Sequence, residues 1–506
     1  MASLEPVGYE HLIRTFNLPV RPLTHPCFIS GSVNRRVPAH NGFWFPRNVA
    51  LESTPVGHLE FALRHEGVNL EVIDAVFEHV SDTELVRRLT ESPNGAHIRR
   101  ACFLWEWLTG KNLSVEATPT GPYVDALPKD EYFTAERPAN NSKFRVRDNL
   151  PGTPAFCPLV RRSALPESPT LDELLNEASE TLDSLTDPTL YARAVSYLYL
   201  SETRSSFSIE REKPSADKAE RFVQLLAHAG EEKLVTEDWL VSLQNIIVRE
   251  VFSQEASYRT KQNWLEDGTR RVTFFPPPPE DLPRAMTGWE HFINEIGLRC
   301  PNTLVRAACA AFGFVYLHPF LDGNGRIHRF IIHHVLNGAR RLRGGAIVPV
   351  SAVILRHEAE YAEVLKGFSV PTTRLWDYVM SDPVPLVTRN PGGRPYRFFD
   401  ASREVRFLHE MLVEAIRTEL PEKLRWLSGY DEAFRQLDAE FDLRQSDLSA
   451  LIRMVKSNNG KLSANKRKQY YFLPESVIAR IEEVVRESFP DATGGGSVDA
   501  ADADSP

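Results

Sequence analysis

Two apolar runs at helical spacing, Leu304 to Leu317 and Phe330 to Leu336, are separated by a stretch that helix cannot cross: His318-Pro319-Phe320-Leu321-Asp322-Gly323-Asn324-Gly325-Arg326-Ile327-His328-Arg329. Pro319 disfavours helix at His318. Asp-Gly-Asn-Gly is a turn sequence whose glycines permit positive φ and leave backbone N–H groups uncovered. The spacing therefore predicts a helix-loop-helix, and a loop that opens directly into a helix N-terminus can hold phosphate oxygens.

The side chains around this loop divide into groups that suit nucleotide chemistry. An unperturbed imidazole has a pKa of about 6.5, so His318 can take the proton of an attacking hydroxyl at neutral pH, and its loss is expected to cost roughly 10²–10⁴ fold or more. Asp322 is a hard oxygen ligand of the kind Mg²⁺ uses beside nucleotide phosphates. Asn324 can donate to a phosphate oxygen. Arg326 and Arg329, three apart on the second helix, can clamp a polyphosphate with forked hydrogen bonds. Phe320 reads as an apolar anchor for the loop. Taken singly, each residue has a blander reading, a capping or core histidine or a surface ion pair.

As a spaced set, the residues resemble the signature of the Fic family, His-x-Phe-x-(Asp/Glu)-Gly-Asn-Gly-Arg-x-x-Arg, which is matched at every fixed position. The resemblance covers about 192–378 firmly and implies AMP transfer from ATP onto a Ser, Thr or Tyr hydroxyl of a target protein, with pyrophosphate released. It implies His318 as general base, Asp322 as Mg²⁺ ligand, Gly323, Asn324, Gly325 and Arg326 as the phosphate nest, and Arg329 at the terminal phosphate. The kinase-like death-on-curing branch carries alanine and lysine where Gly323 and Gly325 stand here. Ala311 and Val315 occupy positions where the family usually has histidine and glutamate, a departure outside the signature.

Two further segments extend the likeness. Ser206-Phe207-Ser208-Ile209-Glu210 resembles the inhibitory Ser/Thr-x-x-x-Glu motif, with Arg211 where Gly or Asn is usual. A helix over about 192–212 would place Val195, Tyr199, Glu202, Ser206 and Glu210 on one face, and the resemblance implies that Glu210 pairs with Arg329 as an intramolecular brake. The stretch from Tyr258 through Phe274, Phe275 and the prolines Pro276 to Pro279, with Gly268 between its halves, resembles the hairpin flap that pairs with a target segment as an added strand. The alternative is a hydrophobic loop fixed against the core.

The expected fold class is mainly α: a helical core over 171–385 with the β-hairpin flap over about 257–283, an N-terminal helical or mixed region over 1–150, a small domain of short helices over 399–489, and a disordered tail over 490–506. Within the first region Leu70, Ile73, Val76, Phe77 and Val80 form a helical stripe, and a second helix is expected over Arg99 to Leu108. Five prolines between Leu150 and Pro169 mark the expected boundary. No window is apolar enough to span a bilayer and the N-terminus is not signal-like, so a cytoplasmic location is expected. The five cysteines are scattered and odd in number, so neither disulfide framework nor zinc site is implied, and most read as buried apolar side chains.

A net charge of −9 demotes nucleic acid as a partner, although Arg453, Lys456, Lys461, Lys466, Arg467 and Lys468 with Tyr470, Tyr471 and Phe472 form a local basic patch. The favoured reading of that patch is a solvated basic helix-turn-helix with its aromatics in a core. His328, His333 and His334 lack a metal-binding pattern and read as helix-surface or core residues. The expected partners are a target protein, with self-modification and homodimerisation compatible. Alternatives are Fic-type transfer of another group such as UMP or phosphocholine, removal of AMP, or a nucleotide-sensing or DNA-associated regulator.

Overall fold

The computed structural model describes residues 4–49, 51–116, 118–231, 234–248, 254–295, 302–381 and 384–489. The tail expected to be disordered, 490–506, and Cys300 lie outside the described residues. The chain is mainly helical with a few small sheets. It divides into two compact units. One gathers Met1–Leu171, Gln224–Arg340 and His357–Glu410, and the other Asp172–Val223, Arg341–Arg356 and Met411–Pro506.

These units cut across the linear division expected from composition. The proline-rich segment after Leu150 is not an exposed linker: Phe156, Cys157, Leu159 and Val160 are buried. Its backbone pairs in the manner of a strand, Cys157 N–H donating to the Arg397 carbonyl, Leu159 N–H to Phe399, and Ala401 N–H back to Leu159. Proline removes its own donor but leaves neighbouring donors and apolar side chains available, so an extended segment can pack where composition alone reads as a boundary.

In the first unit, strands Glu5–Val7, Cys27–Ser30, Gly42–Pro46 and Val37–Ala39 form a sheet in that order, the central pair parallel. The expected helices are Leu70–Val76, capped by Asn69, whose Oδ1 accepts the Val72 N–H at 3.1 Å, and Ala96–Thr109, ended by Gly110 at φ 67°. Their apolar faces share one core with Phe398. Four cysteines, Cys27, Cys102, Cys157 and Cys309, are buried thiols. Arg394 and Arg397 both reach Asp74, so the segment after the second small hairpin (Asp377–Val379 with Leu386–Arg389) is tied to the N-terminal helices.

In the second unit, Asp187 caps the helix Pro188–Ile209, with Pro188 in its first turn, where its missing N–H costs nothing. Val195, Tyr199, Glu202 and Ser206 are buried along one face, as the periodicity implies, while Glu210 is the exposed C-cap. The polar member Glu202 is used within the unit: its two oxygens lie 3.2 and 3.0 Å from Ser351 N–H in the first turn of helix Val350–Arg356, a carboxylate placed at a helix's positive end.

The remainder of this unit departs from the short helices expected. Leu420–Glu440 is a 21-residue helix entered through a π-helical turn, Ala415–Glu419. Pro421 has no N–H for the Arg417 carbonyl, and the wider turn accommodates that missing bond. Helices Gln445–Ser457, Ala464–Gln469 and Glu475–Ser488 follow, with a core that includes Leu437, Leu448, Ile452, Val455, Ile478, Ile481 and Val485. The expectation of core aromatics holds for half-buried Tyr470 and is corrected for Tyr471 and Phe472, which are 86% and 57% exposed. Tyr470 and Leu473 take the inward positions of that turn, so the two residues between them face outward. Among the described residues no helix is long and apolar enough to cross a membrane.

Candidate active site

The apolar run before the loop forms helix Thr303–Leu317, capped by Asn302 and buried along nearly its whole length. The second helix is Asn324–Ala339, longer at its start than the apolar run alone implies because the polar residues Asn324 to Arg329 already form its first turns. The two pack side by side within the first unit. Pro319 does end the first helix, but His318 takes the left-handed conformation, φ 48° and ψ 58°, instead of the extended one usual before proline. A non-glycine residue held there is strained by about 1–2 kcal/mol, and its N–H still closes the helix onto the Phe314 carbonyl at 2.9 Å.

The His318 side chain is 8% exposed, with Nδ1 3.3 Å from the Val315 carbonyl. A carbonyl can only accept, so Nδ1 carries the proton of the neutral ring and Nε2 is its basic nitrogen. The His318 backbone is gripped from behind. Arg259, 4% exposed, donates from Nε to the His318 carbonyl at 2.9 Å and from an Nη to Pro277 at 2.6 Å, while its own N–H donates to Pro319 at 2.8 Å. Burial pulls the Arg259 pKa down to about 10. Three carbonyl dipoles, with Lys261 as the third, receive the Arg259 guanidinium.

Phe320 is fully buried, as its anchor role requires, with the rings of Tyr258 and Phe314 5.7 and 6.3 Å away. Asn324 is also buried, and its amide braces the loop: Oδ1 accepts Phe320 N–H at 3.1 Å and Nδ2 donates to the Phe320 carbonyl at 2.8 Å. Its side chain thus shapes the loop. Gly323 has φ 88°, where a Cβ would also stand 3.1 Å from Val248 Cγ2, so both backbone and space favour glycine. Gln244, fully buried, supports the Asp322 carbonyl at 3.4 Å from below.

Asp322 projects outward, and its Oδ1 receives Gly323 N–H at 2.6 Å and Arg326 Nη2 at 2.9 Å. Arg326 and Arg329 are 3% and 1% exposed, both on the helix that begins at the loop. Gly325 lies in that helix's first turn. The loop thus brings together His318, Asp322, Gly323, Gly325, Arg326 and Arg329. Among the described residues no cluster of three or more His, Cys, Asp or Glu could cage a metal. One exposed carboxylate at a helix N-terminus is compatible with Mg²⁺, which takes few protein ligands and completes its shell with phosphates and water.

His328 is wholly buried, its ring 4.8 Å from Phe312, and His334 Nδ1 accepts Gly230 N–H at 3.2 Å. With His333, 2% exposed, these are core residues.

The hairpin expected from sequence is present: Leu265–Glu266 pairs with Val272–Phe274, and Asp267 Oδ1 closes the turn on Thr269 and Arg271 N–H groups. The positive φ falls on Arg270, at 62°, and not on Gly268. The three side chains expected to dock a target are buried instead. Tyr258 donates to Glu290, Phe275 stacks on Trp376 at 4.7 Å, and Phe274 sits 6.1 Å from Phe368. They fix the hairpin to the core. What the hairpin leaves outward is Leu265, 42% exposed, Glu266 and Thr273.

Ser206 is buried within helix Pro188–Ile209 in the second unit, and Glu210 caps that helix. The helix ends in a Schellman turn: Glu212 N–H donates to the Phe207 carbonyl at 3.1 Å and Arg211 N–H to Ser208 at 2.8 Å. Arg211 has φ 56°. The preference for Gly or Asn at this position is thus a backbone preference, and the arginine adopts the same left-handed turn at a cost.

Sequence reading missed Arg259 and Gln244 as supports of the loop, and nothing in their local sequence marks them as buried. It also missed Glu404, fully enclosed, which accepts from the Tyr316 hydroxyl at 2.7 Å beneath the first helix.

Residues 234–336 match the Fic/DOC family. Relatives include the protein adenylyltransferase Fic of Nematostella vectensis, 26% identical over 121 residues, 24% of this chain and 27% of that one. The protein of the same name from Drosophila grimshawi is 38% identical over 61 residues, 12% of this chain and 13% of that one. The matched stretches therefore span about a quarter or less of those relatives' lengths. A Fic-domain signalling protein from Bacteroides thetaiotaomicron overlays with 18% identity and a TM-score of 0.37, covering 51% of this chain and 97% of that one, a likeness too slight to argue from. Signature, helix-loop-helix and family match coincide on one segment: residues 234–336 of this chain are a Fic/DOC domain.

Proposed function

We propose that this chain transfers the AMP moiety of ATP to a hydroxyl side chain of a target protein. The observation that carries the reading is His318: its Nδ1 is committed to the Val315 carbonyl, and its backbone is clamped by Arg259 at the mouth of a glycine-lined helix N-terminus. A loop that only bound phosphate would need the N–H groups and arginines but no oriented base. The name shared by the curated relatives, protein adenylyltransferase, supports the same reaction.

In this reading the target hydroxyl gives its proton to His318 Nε2 as its oxygen attacks the α-phosphorus. The bond from that phosphorus to the bridging oxygen breaks and pyrophosphate leaves. The first-turn N–H groups after Gly323, with Arg326 and Arg329, neutralise the phosphate charge that grows during transfer, a term that usually dominates such reactions. Asp322 would hold Mg²⁺, which supplies charge neutralisation and orients the phosphates. Binding the triphosphate draws Arg326 away from its pair with Asp322, freeing the carboxylate for the cation.

Glu210 is proposed as a brake that occupies the place of the terminal phosphate at Arg329. The hairpin offers its backbone edge, with Leu265, Glu266 and Thr273 outward, to an extended target segment. A second copy of the chain is one such target, giving self-modification.

The test is labelling by the Glu210→Gly chain with Mg²⁺ and ATP labelled at either the α or the γ phosphate. The expected outcome is transfer of the α label alone, a rise of at least about 10-fold over wild type (~1.4 kcal/mol of relieved inhibition), and a product mass increased by one adenylate. Transfer of the γ label would mean phosphorylation, and an unchanged rate would remove Glu210 from regulation. A product mass matching UMP or phosphocholine, given those donors, would reassign the transferred group.

A further inference from the structure

The basic patch in the helical part of the second unit is not absorbed by this chemistry. Between Arg453 and Phe472 the sequence has six cations and no carboxylate, in a chain of net charge −9. Three of the six are engaged elsewhere or turned partly inward. Arg467 pairs with Glu475 and Glu482, Lys456 lies 4.9 Å above the Phe489 ring, and Arg453 is half-buried. Lys461, Lys466 and Lys468 are exposed.

Beside them, Tyr471 and Phe472 present their rings to solvent at 86% and 57% exposure, the only large apolar side chains so exposed among the described residues of this unit. The core beneath is filled without them, by Tyr470, Leu473 and the helix faces. Burying large aromatic side chains stabilises a fold, and this turn forgoes that gain at two successive positions.

We propose that Tyr471 and Phe472, with Lys461, Lys466 and Lys468, form a binding site for single-stranded nucleic acid. Flat exposed rings stack on unpaired bases irrespective of sequence, and ammonium groups neutralise the flanking phosphates. A duplex hides its base faces, so two solvent-facing rings favour an unpaired strand. An anionic membrane would use an amphipathic face several apolar residues wide; here the exposed apolar surface is two rings in one turn. The local positive charge stands against an acidic chain, so the strand is drawn to this face and repelled elsewhere.

The experiment is fluorescence anisotropy of a labelled oligothymidylate titrated with the full chain over a series of salt concentrations. Three phosphate contacts predict that log K falls with log salt at a slope of about −2. Tyr471→Ala should weaken binding by about 5- to 150-fold through lost stacking. Lys466→Ala with Lys468→Ala should reduce the slope to about −0.7. His318→Ala should bind the strand like wild type, which separates this site from the transfer reaction. Because all these surface side chains are exposed, unchanged melting curves will show that the variants fold. Absence of saturable binding at low salt overturns the proposal, as does equal affinity in Tyr471→Ala, or binding to phosphatidylserine vesicles with none to the strand.

Discussion

At the scale of single residues, the positive φ of Arg211 and of His318 shows backbone conformation overriding side-chain preference. Arg211 adopts φ 56° to close the Schellman turn after Glu210. Replacing it with glycine removes a steric penalty of about 1 kcal/mol. Arg211→Gly is therefore expected to raise the melting temperature of the transition that includes this helix by ~2–4 °C. A fall, measured calorimetrically, would mean that the arginine side chain contributes more than its backbone costs. His318 pays a similar cost at φ 48°, at the point where its helix gives way to the loop.

Glu404 gives a pH-dependent prediction at the same scale. Burial raises its carboxyl to about 7 against an ordinary 4.5. The Tyr316 hydrogen bond and Arg21 pull the other way, and Asp400 adds to the rise. A carboxyl raised in the folded state stabilises the fold below its unfolded pKa, and that contribution is lost as pH climbs through 7. At about 1.4 kcal/mol per pH unit the loss approaches ~3 kcal/mol. Glu404→Gln, which stays neutral, should gain on wild type by roughly that amount between pH 4.5 and 8 in paired denaturant titrations. A difference that does not change with pH would show that Glu404 is ionised in the fold throughout.

At the scale of elements, the hairpin shows how far sequence reaches. Its existence was legible from a polar half and an apolar half separated by Asp267-Gly268, and its position before the signature was legible too. The direction of its aromatics was not. Phe274 and Phe275 are adjacent yet both buried, because Phe275 has left the strand and packs on Trp376, a partner about a hundred residues away in sequence. Arg259 shows the same limit. An arginine beside a tyrosine reads as surface, whereas here it is enclosed and joins the base of the hairpin to the His318 and Pro319 carbonyls. As a positioning residue it predicts a split effect. Arg259→Lys keeps the charge but loses the fork, so transfer should fall about 10- to 100-fold through misplacement of His318 while ATP affinity changes less than ~3-fold. Equal losses in both, measured by single-turnover transfer and by equilibrium binding, would assign Arg259 to nucleotide binding or to the fold.

At the scale of the whole molecule, the mainly helical character and the loop itself were readable because periodicity and turn chemistry are local. The two-unit division was not, because it is made by pairings distant in sequence: Leu159 with Phe399 and Ala401, Glu202 with Ser351. Five prolines said that 150–169 could not be helix, but could not say that its backbone would find partners near 400. Likewise the aromatic run 470–472 does not itself say which rings turn inward: Tyr470 and Leu473 fill the core positions, which leaves Tyr471 and Phe472 outside.

The central claim is that the loop holds a triphosphate while one imidazole takes the proton of the incoming hydroxyl. Its most direct test compares nucleotide binding with transfer in the same protein, the Glu210→Gly chain with and without His318→Ala. The account predicts ATP affinity within about 3-fold and a transfer rate lower by roughly 10²–10⁴ fold. Transfer that survives the loss of His318, or ATP affinity that disappears with it, would contradict the account.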